Sequence, residues 1–255
     1  MNLETVFYCS RLINSGIISG DECSYFEVDF PIVANTKCQK ITENRILRSF
    51  FSKYESFEGY SCFKFDSGRF CLVGCNMTDT EILEDKLNKL GFDWNKLTII
   101  LTECSTTYVD VRLSLQLLRW LTDKMSNFVF VDYEQIRPFD HFGQIMKRHF
   151  ANRGSPLKCI DFYPTTFDHY RRFMDIGWTE CRIQTIDQIV QTYFGPSDKN
   201  RIRRLIDDTL DEAEEFQLKC SHYVLIVGTK LTDIDQCHLV EIINKPEGIL
   251  KLTFR

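Results

Sequence analysis

Short apolar runs alternate with amphipathic helical patterns between about residues 24 and 133, and this alternation constrains the fold more than any other feature of the chain. Strand-like apolar runs cover residues 25–30, 70–74, 97–101 and 128–131. Helical patterns begin at Pro31 and cover residues 80–90 and 113–125. Strand, helix, strand, helix at this spacing predicts an α/β fold with a parallel sheet between helices. The continuous hydrophobicity of Leu97–Leu101 predicts a strand buried on both faces.

The pattern changes after residue 150. Helices are predicted near residues 166–176, 186–193 and 200–216, the last one strongly acidic. Residues 221–228 and 237–243 are predicted to be strands that form an antiparallel hairpin, and 249–254 is a candidate for another strand. Because the sequence shows no internal repeat, low-complexity tract or clear linker, one domain over residues 1–230 is expected, with residues 231–255 as a tail of unclear assignment.

Bulk composition excludes some classes of protein. The chain has 255 residues, long enough for one large domain with a substantial core. Hydrophobic residues make up 44% and charged residues 26%, as in ordinary globular proteins. The formal net charge of -5 gives no overall electrostatic signature of nucleic-acid binding, although it leaves room for a local basic patch.

The 11 cysteines and five histidines have no metal-ligand spacing. Cys71 lies inside an apolar strand-like run, which is typical of a buried reduced thiol rather than a disulfide. The amino terminus does not resemble a signal peptide, and no apolar run is long enough to span a bilayer. We therefore expect a protein of the cytoplasm or nucleus, without a metal and without a membrane segment.

Polar side chains follow the predicted strands at their carboxyl ends, where open α/β sheets bind ligands. Asp29 follows the first strand, and an acidic residue there can accept both hydroxyls of a ribose. On spacing alone, however, a helix cap near Pro31 is the preferred interpretation. For Asn76, the sequence favours two interpretations equally: ligand binding, or an Asx-turn before the next helix. Glu103 follows the third strand, where lone glutamates are usually solvated.

Three strings resemble the leucine carboxyl methyltransferase family. They are Tyr25-Phe-Glu-Val-Asp-Phe-Pro31, Leu101-Thr-Glu-Cys-Ser-Thr-Thr-Tyr108 and the segment from Val131 through Tyr133-Glu-Gln and Phe142-Gly-Gln-Ile-Met146. The family transfers a methyl group from S-adenosylmethionine onto carboxylates. The resemblance implies the Rossmann-like α/β sheet of class I S-adenosylmethionine-dependent methyltransferases, with a carboxyl-terminal antiparallel hairpin.

The resemblance implies a set of cofactor-binding residues. Asp29 would bind the ribose, which reverses the preference for a helix cap. Asn76 and Met77 stand where the family usually has Asp-Leu, so they would contact the adenine through the Asn76 carbonyl and the Met77 backbone amide. Glu103 would lie beside the methionine portion of the cofactor.

The resemblance also implies that Tyr108 and Tyr133 face the acceptor carboxylate, whereas most tyrosines at such positions simply pack with a satisfied hydroxyl. The expected reaction is an in-line displacement at the methyl carbon. A carboxylate is already ionised at neutral pH, so catalysis requires alignment and desolvation rather than a general base or a metal.

Two branches of the family give two predicted partners. One branch methylates the carboxyl-terminal leucine of the type 2A protein phosphatase catalytic subunit, and the other methylates a tricyclic guanosine derivative in phenylalanine tRNA. Residues Arg137–Phe150, Ser155–Leu157, Arg172–Trp178 and Glu214–Tyr223 look like the tRNA branch. The tRNA is therefore the predicted partner, with the phosphatase subunit as the alternative.

The amino terminus departs from the family pattern. The family's first cofactor motif is a strand followed by Gly-x-Gly-Phe/Leu-Asp-Thr, and Leu3-Glu4-Thr5 aligns with only its tail. The central first strand of the sheet is therefore expected to be missing. Either the natural protein begins further upstream, or this chain folds poorly and binds the cofactor weakly. A further alternative is a non-catalytic remnant that acts as a binding module.

Overall fold

The computed structural model describes residues 23–65, 68–205 and 213–232. The chain divides into two compact units, Met1–Asp93 (the first unit) and Trp94–Arg255 (the second unit), and each described part contains its own four-stranded sheet. The α/β class predicted from the sequence is confirmed. The expected boundary between residues 230 and 231 stays a prediction.

The sheet of the first unit has the strand order β1-β4-β3-β2. Its strands are β1 (Cys23–Asp29), β2 (Lys53–Phe57), β3 (Tyr60–Phe65) and β4 (Gly68–Gly74). β1 is parallel to β4, whereas β2, β3 and β4 pair antiparallel. β1 and β4 were predicted, but the β2–β3 hairpin was not. β2 is mostly exposed and polar, so it lacks the apolar signal that the prediction used.

Three helices complete the described part of the first unit: α1 (Pro31–Glu43), α2 (Arg45–Arg48) and α3 (Thr80–Lys89). Pro31 occupies the first turn of α1, where a missing amide costs nothing. The side chain of Asp79 accepts a hydrogen bond from the Ile82 amide and caps α3. Ile41 of α1 packs with Phe63 and Phe70 in the core of this unit.

The sheet of the second unit has the strand order β5-β6-β8-β7. Its strands are β5 (Thr98–Glu103), β6 (Phe128–Gln135), β7 (Glu180–Thr185) and β8 (Tyr223–Lys230). β5 and β6 are parallel, and β8 runs antiparallel to both β6 and β7. Each sheet thus contains one parallel pair of strands, whereas the alternation of strands and helices in the sequence predicted a mainly parallel sheet. β7 was missed because its residues are half-buried without alternation.

Two predictions about strands have different outcomes. β5 is not buried on both faces, since Ile99 is 54% exposed and Leu101 is 62% exposed. The side chains of β5 alternate between exposed and half-buried, as in a strand with one covered face. The predicted hairpin partner at residues 237–243 and the candidate strand at 249–254 lie outside the described residues.

The described part of the second unit also contains several helical elements, and Trp178 is buried beside its sheet. They are a 3₁₀ turn (Thr106–Tyr108), α4 (Val111–Lys124), α5 (His141–Asn152), α6 (Thr166–Met174), α7 (Ile186–Tyr193), α8 (Pro196–Leu205) and α9 (Ala213–Ser221). The Trp178 ring packs against Phe128, Phe130 and Phe173. A Cβ at Gly228 would lie 2.3 Å from this ring, so only glycine fits there. α8 and α9 overlap the two ends of the predicted helix at 200–216.

Within the described ranges, β1 pairs with β4 alone and β5 pairs with β6 alone. Residues 3–5 lie outside those ranges, so the missing central strand stays a prediction. In the same ranges, every helix is too short or too polar to cross a membrane. The free thiols in the described part of the chain include Cys71, as predicted.

Candidate functional site

The parallel pair of the first unit ends at Asp29 and Gly74, which are register partners. The Cys75 amide continues the ladder by donating to the Asp29 carbonyl over 2.9 Å. The side-chain Oδ1 of Asp29 accepts from the Phe30 amide at 2.7 Å, but the residue at the N-cap position of α1 is Phe30. Asp29 Oδ2 has no partner in the described part of the chain. The carboxylate is therefore half-buried at a strand end, with one oxygen available to a ligand.

Asn76 lies just beyond the same strand end. Its Oδ1 accepts from the Thr78 amide at 3.2 Å and from the Thr78 hydroxyl at 3.0 Å, which is the Asx-turn that the sequence allowed. Both lone pairs of this oxygen are thereby used within the turn. The side-chain amide nitrogen of Asn76 makes no hydrogen bond to any described residue, so it can donate to a ligand. Met77 follows, half-buried.

The parallel pair of the second unit ends at Glu103 and Tyr133, which are also register partners. The Cys104 amide donates to the Tyr133 carbonyl over 2.7 Å. Cys104 has a φ of 50°, and Arg137, just past β6, has a φ of 58°. Non-glycine residues in this left-handed region are uncommon and cluster at functional sites, because surrounding contacts must hold them there. The carboxylate of Glu103 is exposed.

The two predicted acceptor-binding tyrosines share neighbours in the second unit. The Tyr133 ring stacks on the Tyr223 ring with centroids 5.1 Å apart, and the Tyr108 ring lies 6.1 Å from that of Phe150. Burial raises the pKa of both Tyr108 and Tyr133, and the negative charges of ionised Cys104 and Tyr223 would raise it further. Both phenols are therefore protonated donors at neutral pH. Tyr223 was not predicted as a site residue, although it ends one of the family-like strings.

Two buried acids flank Tyr133 on β6. Asp132 and Glu134 are 0% and 2% exposed, and they point to the face opposite Tyr133 because side chains alternate along a strand. Asp132 accepts from the Thr102 hydroxyl at 2.7 Å, and Glu134 accepts from the Thr106 hydroxyl at 2.8 Å. Burial raises the pKa of Asp132 to about 6 and that of Glu134 to about 8. Glu134 is therefore largely neutral at pH 7.

Arg172 of α6 supplies a buried positive charge near these acids. Its guanidinium donates to the Ser114 hydroxyl and lies 4.5 Å from the centroid of the Tyr163 ring. Its charge opposes the rise in the pKa of Asp132 and Glu134. Burial, helped by Arg172, lowers the pKa of His169 to about 3, so this histidine is neutral.

Several polar atoms of this interior have no hydrogen-bond partner among the described residues: Asp132 Oδ2, Gln135 Oε1, Arg172 Nε and Nη1, and both ring nitrogens of His169. His169 is buried within α6. The contribution of Arg172 was missed, although Arg172 begins one of the family-like strings, because the string does not distinguish a buried arginine from an exposed one. The described ranges contain no group of three or more His, Cys, Asp or Glu side chains that could hold a metal ion.

Residues 14–122 match the family model described as leucine carboxyl methyltransferase. The chain is 32% identical over 220 residues to tRNA wybutosine-synthesizing protein 4 of Homo sapiens, which covers 86% of this chain and 32% of that protein. It is 28% identical over 232 residues to leucine carboxyl methyltransferase 1 of Rattus norvegicus, covering 89% of this chain and 67% of that protein. The predicted resemblance to the family is confirmed.

The chain thus spans about a third of the length of the human relative. Among solved structures, it resembles a DUF574 family protein from Streptomyces avermitilis with a TM-score of 0.53 and 13% identity. That match covers 88% of this chain and 80% of the other chain, and it supports the α/β fold.

Proposed function

We propose that this chain, a relative of the leucine carboxyl methyltransferase family through residues 14–122, transfers a methyl group from S-adenosylmethionine onto a carboxylate. The observation that supports this most is the family match itself, since the matched residues include the ends of β1, β4 and β5. Asp29, Asn76 and Glu103 lie at these ends, where parallel strands present ligand-binding groups.

The chemistry of the three side chains fits the cofactor. Asp29 Oδ2 can accept a hydrogen bond from a ribose hydroxyl, and the Asn76 side-chain amide can donate to a ring nitrogen of adenine. The backbone amide of Met77 is a second donor for the adenine, and the carboxylate of Glu103 can accept from the ammonium of the methionine portion. When bound, the cofactor supplies a methyl group activated by an adjacent sulfonium.

The tyrosines of the second unit would hold the acceptor. Tyr108 and Tyr133 are protonated at neutral pH, so each can donate a hydrogen bond to a carboxylate oxygen. The stacking of Tyr133 on Tyr223 fixes the orientation of that donor. An ionised carboxylate needs no general base, so these residues contribute by orienting the acceptor and excluding water.

The substrate that we propose is the carboxylate of a wybutosine-type guanosine in phenylalanine tRNA. The support is that the match to the human tRNA wybutosine-synthesizing protein 4 covers 86% of this chain at 32% identity. The second candidate is the carboxyl-terminal leucine of the type 2A protein phosphatase catalytic subunit. It is favoured by the match to the rat leucine carboxyl methyltransferase 1, of which the chain covers 67%.

Calorimetry with S-adenosylmethionine and transfer of its isotope-labelled methyl group test the proposal. We expect binding, and alkali-labile label on the modified tRNA but not on the phosphatase subunit. Asp29→Asn keeps the oxygen that accepts from the Phe30 amide but loses the charge, so cofactor affinity should fall about tenfold. Asp85→Asn, at an exposed acid of α3, is the matched control and should bind normally.

Label on the phosphatase subunit alone would select the second candidate. A chain that unfolds cooperatively but binds no cofactor would overturn the proposal in favour of a non-catalytic binding module. Equal loss of affinity in Asp29→Asn and Asp85→Asn would show that Asp29 has no specific place in the cofactor site.

A further inference from the structure

Helix α5 has one face against the predicted acceptor site and the other face open. Phe142, Met146 and Phe150 lie on the inner face, in a cluster that includes Tyr108 and Tyr223. The opposite side chains, among them His141, Ile145, Arg148 and Asn152, recur at intervals of three or four residues and are exposed. A helix is about 10–12 Å across with its side chains, so the open face lies within one helix diameter of Tyr108.

The segment that contains α5 is basic although the chain as a whole is acidic. Residues 137–160 contain five basic side chains and one acidic one, against a formal net charge of -5 for the chain. The basic residues are Arg137, Lys147, Arg148, Arg153 and Lys158. Arg148 and Arg153 extend the positive charge along the helix and past its end, and Lys158 follows in the next loop.

The neighbouring acids do not neutralise this charge. Lys147 is paired with Asp161 at 2.6 Å and is already compensated. The Asp140 carboxylate accepts from the Gly143 amide and contacts His222, so its hydrogen bonds are made at the start of α5 and not with the basic side chains. Within the described ranges, Arg148, Arg153 and Lys158 form no ion pair, and all three are exposed.

An exposed aromatic ring adjoins these charges. Phe139 is 61% exposed, and its carbonyl accepts from the Gln144 side chain at 3.0 Å, which ties it to α5. The Lys147 ammonium lies 5.8 Å from the Phe139 ring centroid. Exposed rings near cations suit unpaired RNA bases, which stack on aromatic side chains while the cations contact phosphates.

We propose that Phe139, Arg148, Arg153 and Lys158, here called the α5 basic face, bind a single-stranded RNA loop, with the three cations at its phosphates and the Phe139 ring against an unpaired base. The inference rests on the proposed function, because it assigns to the RNA substrate a surface next to the acceptor tyrosines. Arginine favours this partner since its planar fork matches phosphate oxygens bidentately. An acidic peptide would meet the same charges, but it would leave the exposed ring without a stacking partner.

RNA binding by the full chain tests the α5 basic face. The probe is fluorescein-labelled, unmodified phenylalanine tRNA, followed by fluorescence anisotropy over a range of salt concentrations. In the triple variant Arg148→Ala, Arg153→Ala, Lys158→Ala we expect at least tenfold weaker binding. The slope of log affinity against log salt should fall by about 2, since three phosphate contacts are lost.

A matched control removes three exposed positive charges from the first unit: Lys40→Ala, Arg45→Ala, Arg48→Ala. It has the same net charge as the test variant, so it should bind RNA within about twofold of the original chain. Phe139→Ala should weaken binding without changing the salt slope, because it removes stacking rather than charge. Thermal unfolding of each variant confirms that it is folded.

Three outcomes would overturn the surface assignment: no RNA binding by the original chain, equal losses in the test and control variants, or normal binding by the test variant. Preferential binding of a labelled oligoglutamate peptide that the triple variant abolishes would assign the face to an acidic protein segment instead. RNA binding that depends on the α5 basic face, without any methyl transfer, would support the assignment of the surface and overturn only the proposed function.

Discussion

The two parallel strand pairs end in different environments. In the first unit, Asp29 is half-buried and Asn76 is exposed. Their side chains form hydrogen bonds only with residues one or two positions away in the sequence. In the second unit, Tyr133 lies between two acids that are removed from water and held by hydroxyls from other elements. The first strand end therefore carries open polar groups, which we propose for the cofactor, and the second carries a constrained tyrosine, which we propose for the acceptor.

The constraint in the second unit has a cost in stability. A buried carboxyl group loses its hydration, which raises its pKa unless charges or hydrogen bonds compensate. Here each acid accepts from one hydroxyl, Glu134 also accepts from the Gln135 amide at 3.3 Å, and Arg172 compensates for only part of the burial. On the opposite face of the same strand, the contact that orients Tyr133 is the stacking of its ring on Tyr223.

The largest effect that we predict in this comparison concerns Arg172. Arg172→Met keeps the length of the side chain but removes the charge near Asp132 and Glu134, the donor to Ser114 and the contact with Tyr163. We expect the free energy of unfolding to fall by about 3–5 kcal/mol, as when one partner of a buried charged network is removed. Urea denaturation measures the change.

The neighbouring Arg171 provides the control for that substitution. Its side chain is 63% exposed and reaches Asp175 only at 3.7 Å, so Arg171→Met should change the stability by less than about 0.5 kcal/mol. If both variants lost stability equally, the contrast between a buried and an open strand end would not hold.

The second prediction concerns pH and Glu134. Its pKa is raised to about 8 in the folded chain, against about 4.3 in an unfolded one, so the folded state binds more protons between these values. The free energy of unfolding should therefore fall as the pH rises through this window, by up to about 1.4 kcal/mol per pH unit, and level off above it. Denaturation with urea between pH 6.5 and 8 measures the slope.

Glu134→Gln sharpens the pH prediction. The glutamine keeps an oxygen that accepts from the Thr106 hydroxyl but cannot ionise. In this variant, the fall of the free energy of unfolding between pH 6.5 and 8 should therefore disappear. Asp132, whose pKa is raised to about 6, contributes a slope of the same sign only at lower pH. A stability that rises with pH in the original chain, or an unchanged slope in Glu134→Gln, would contradict the assignment of a neutral Glu134.

The same contrast explains what could be predicted from the sequence. The strand ends could be placed, because β1 and β5 are apolar runs that end in polar residues, and Asp29 and Glu103 fall at those ends. The β2–β3 hairpin could not be predicted, since its first strand has no buried stripe. The partnership of Arg172 with Asp132 could not be predicted either, because it joins residues 40 positions apart through tertiary packing alone.

The smallest effect that we predict separates binding from turnover. Tyr133→Phe removes one hydroxyl but keeps the ring stacked on Tyr223, so folding and cofactor affinity should be unchanged. Turnover should fall about threefold to tenfold, since one neutral hydrogen bond to the acceptor is lost. Tyr54→Phe, at a 41% exposed tyrosine of the first unit, should leave turnover unchanged. Asp29→Asn should show the opposite pattern, with weaker cofactor binding and normal turnover at saturation. If Tyr133→Phe instead lowered cofactor affinity as much as turnover, Tyr133 would contact the cofactor, and its assignment to the acceptor would be wrong.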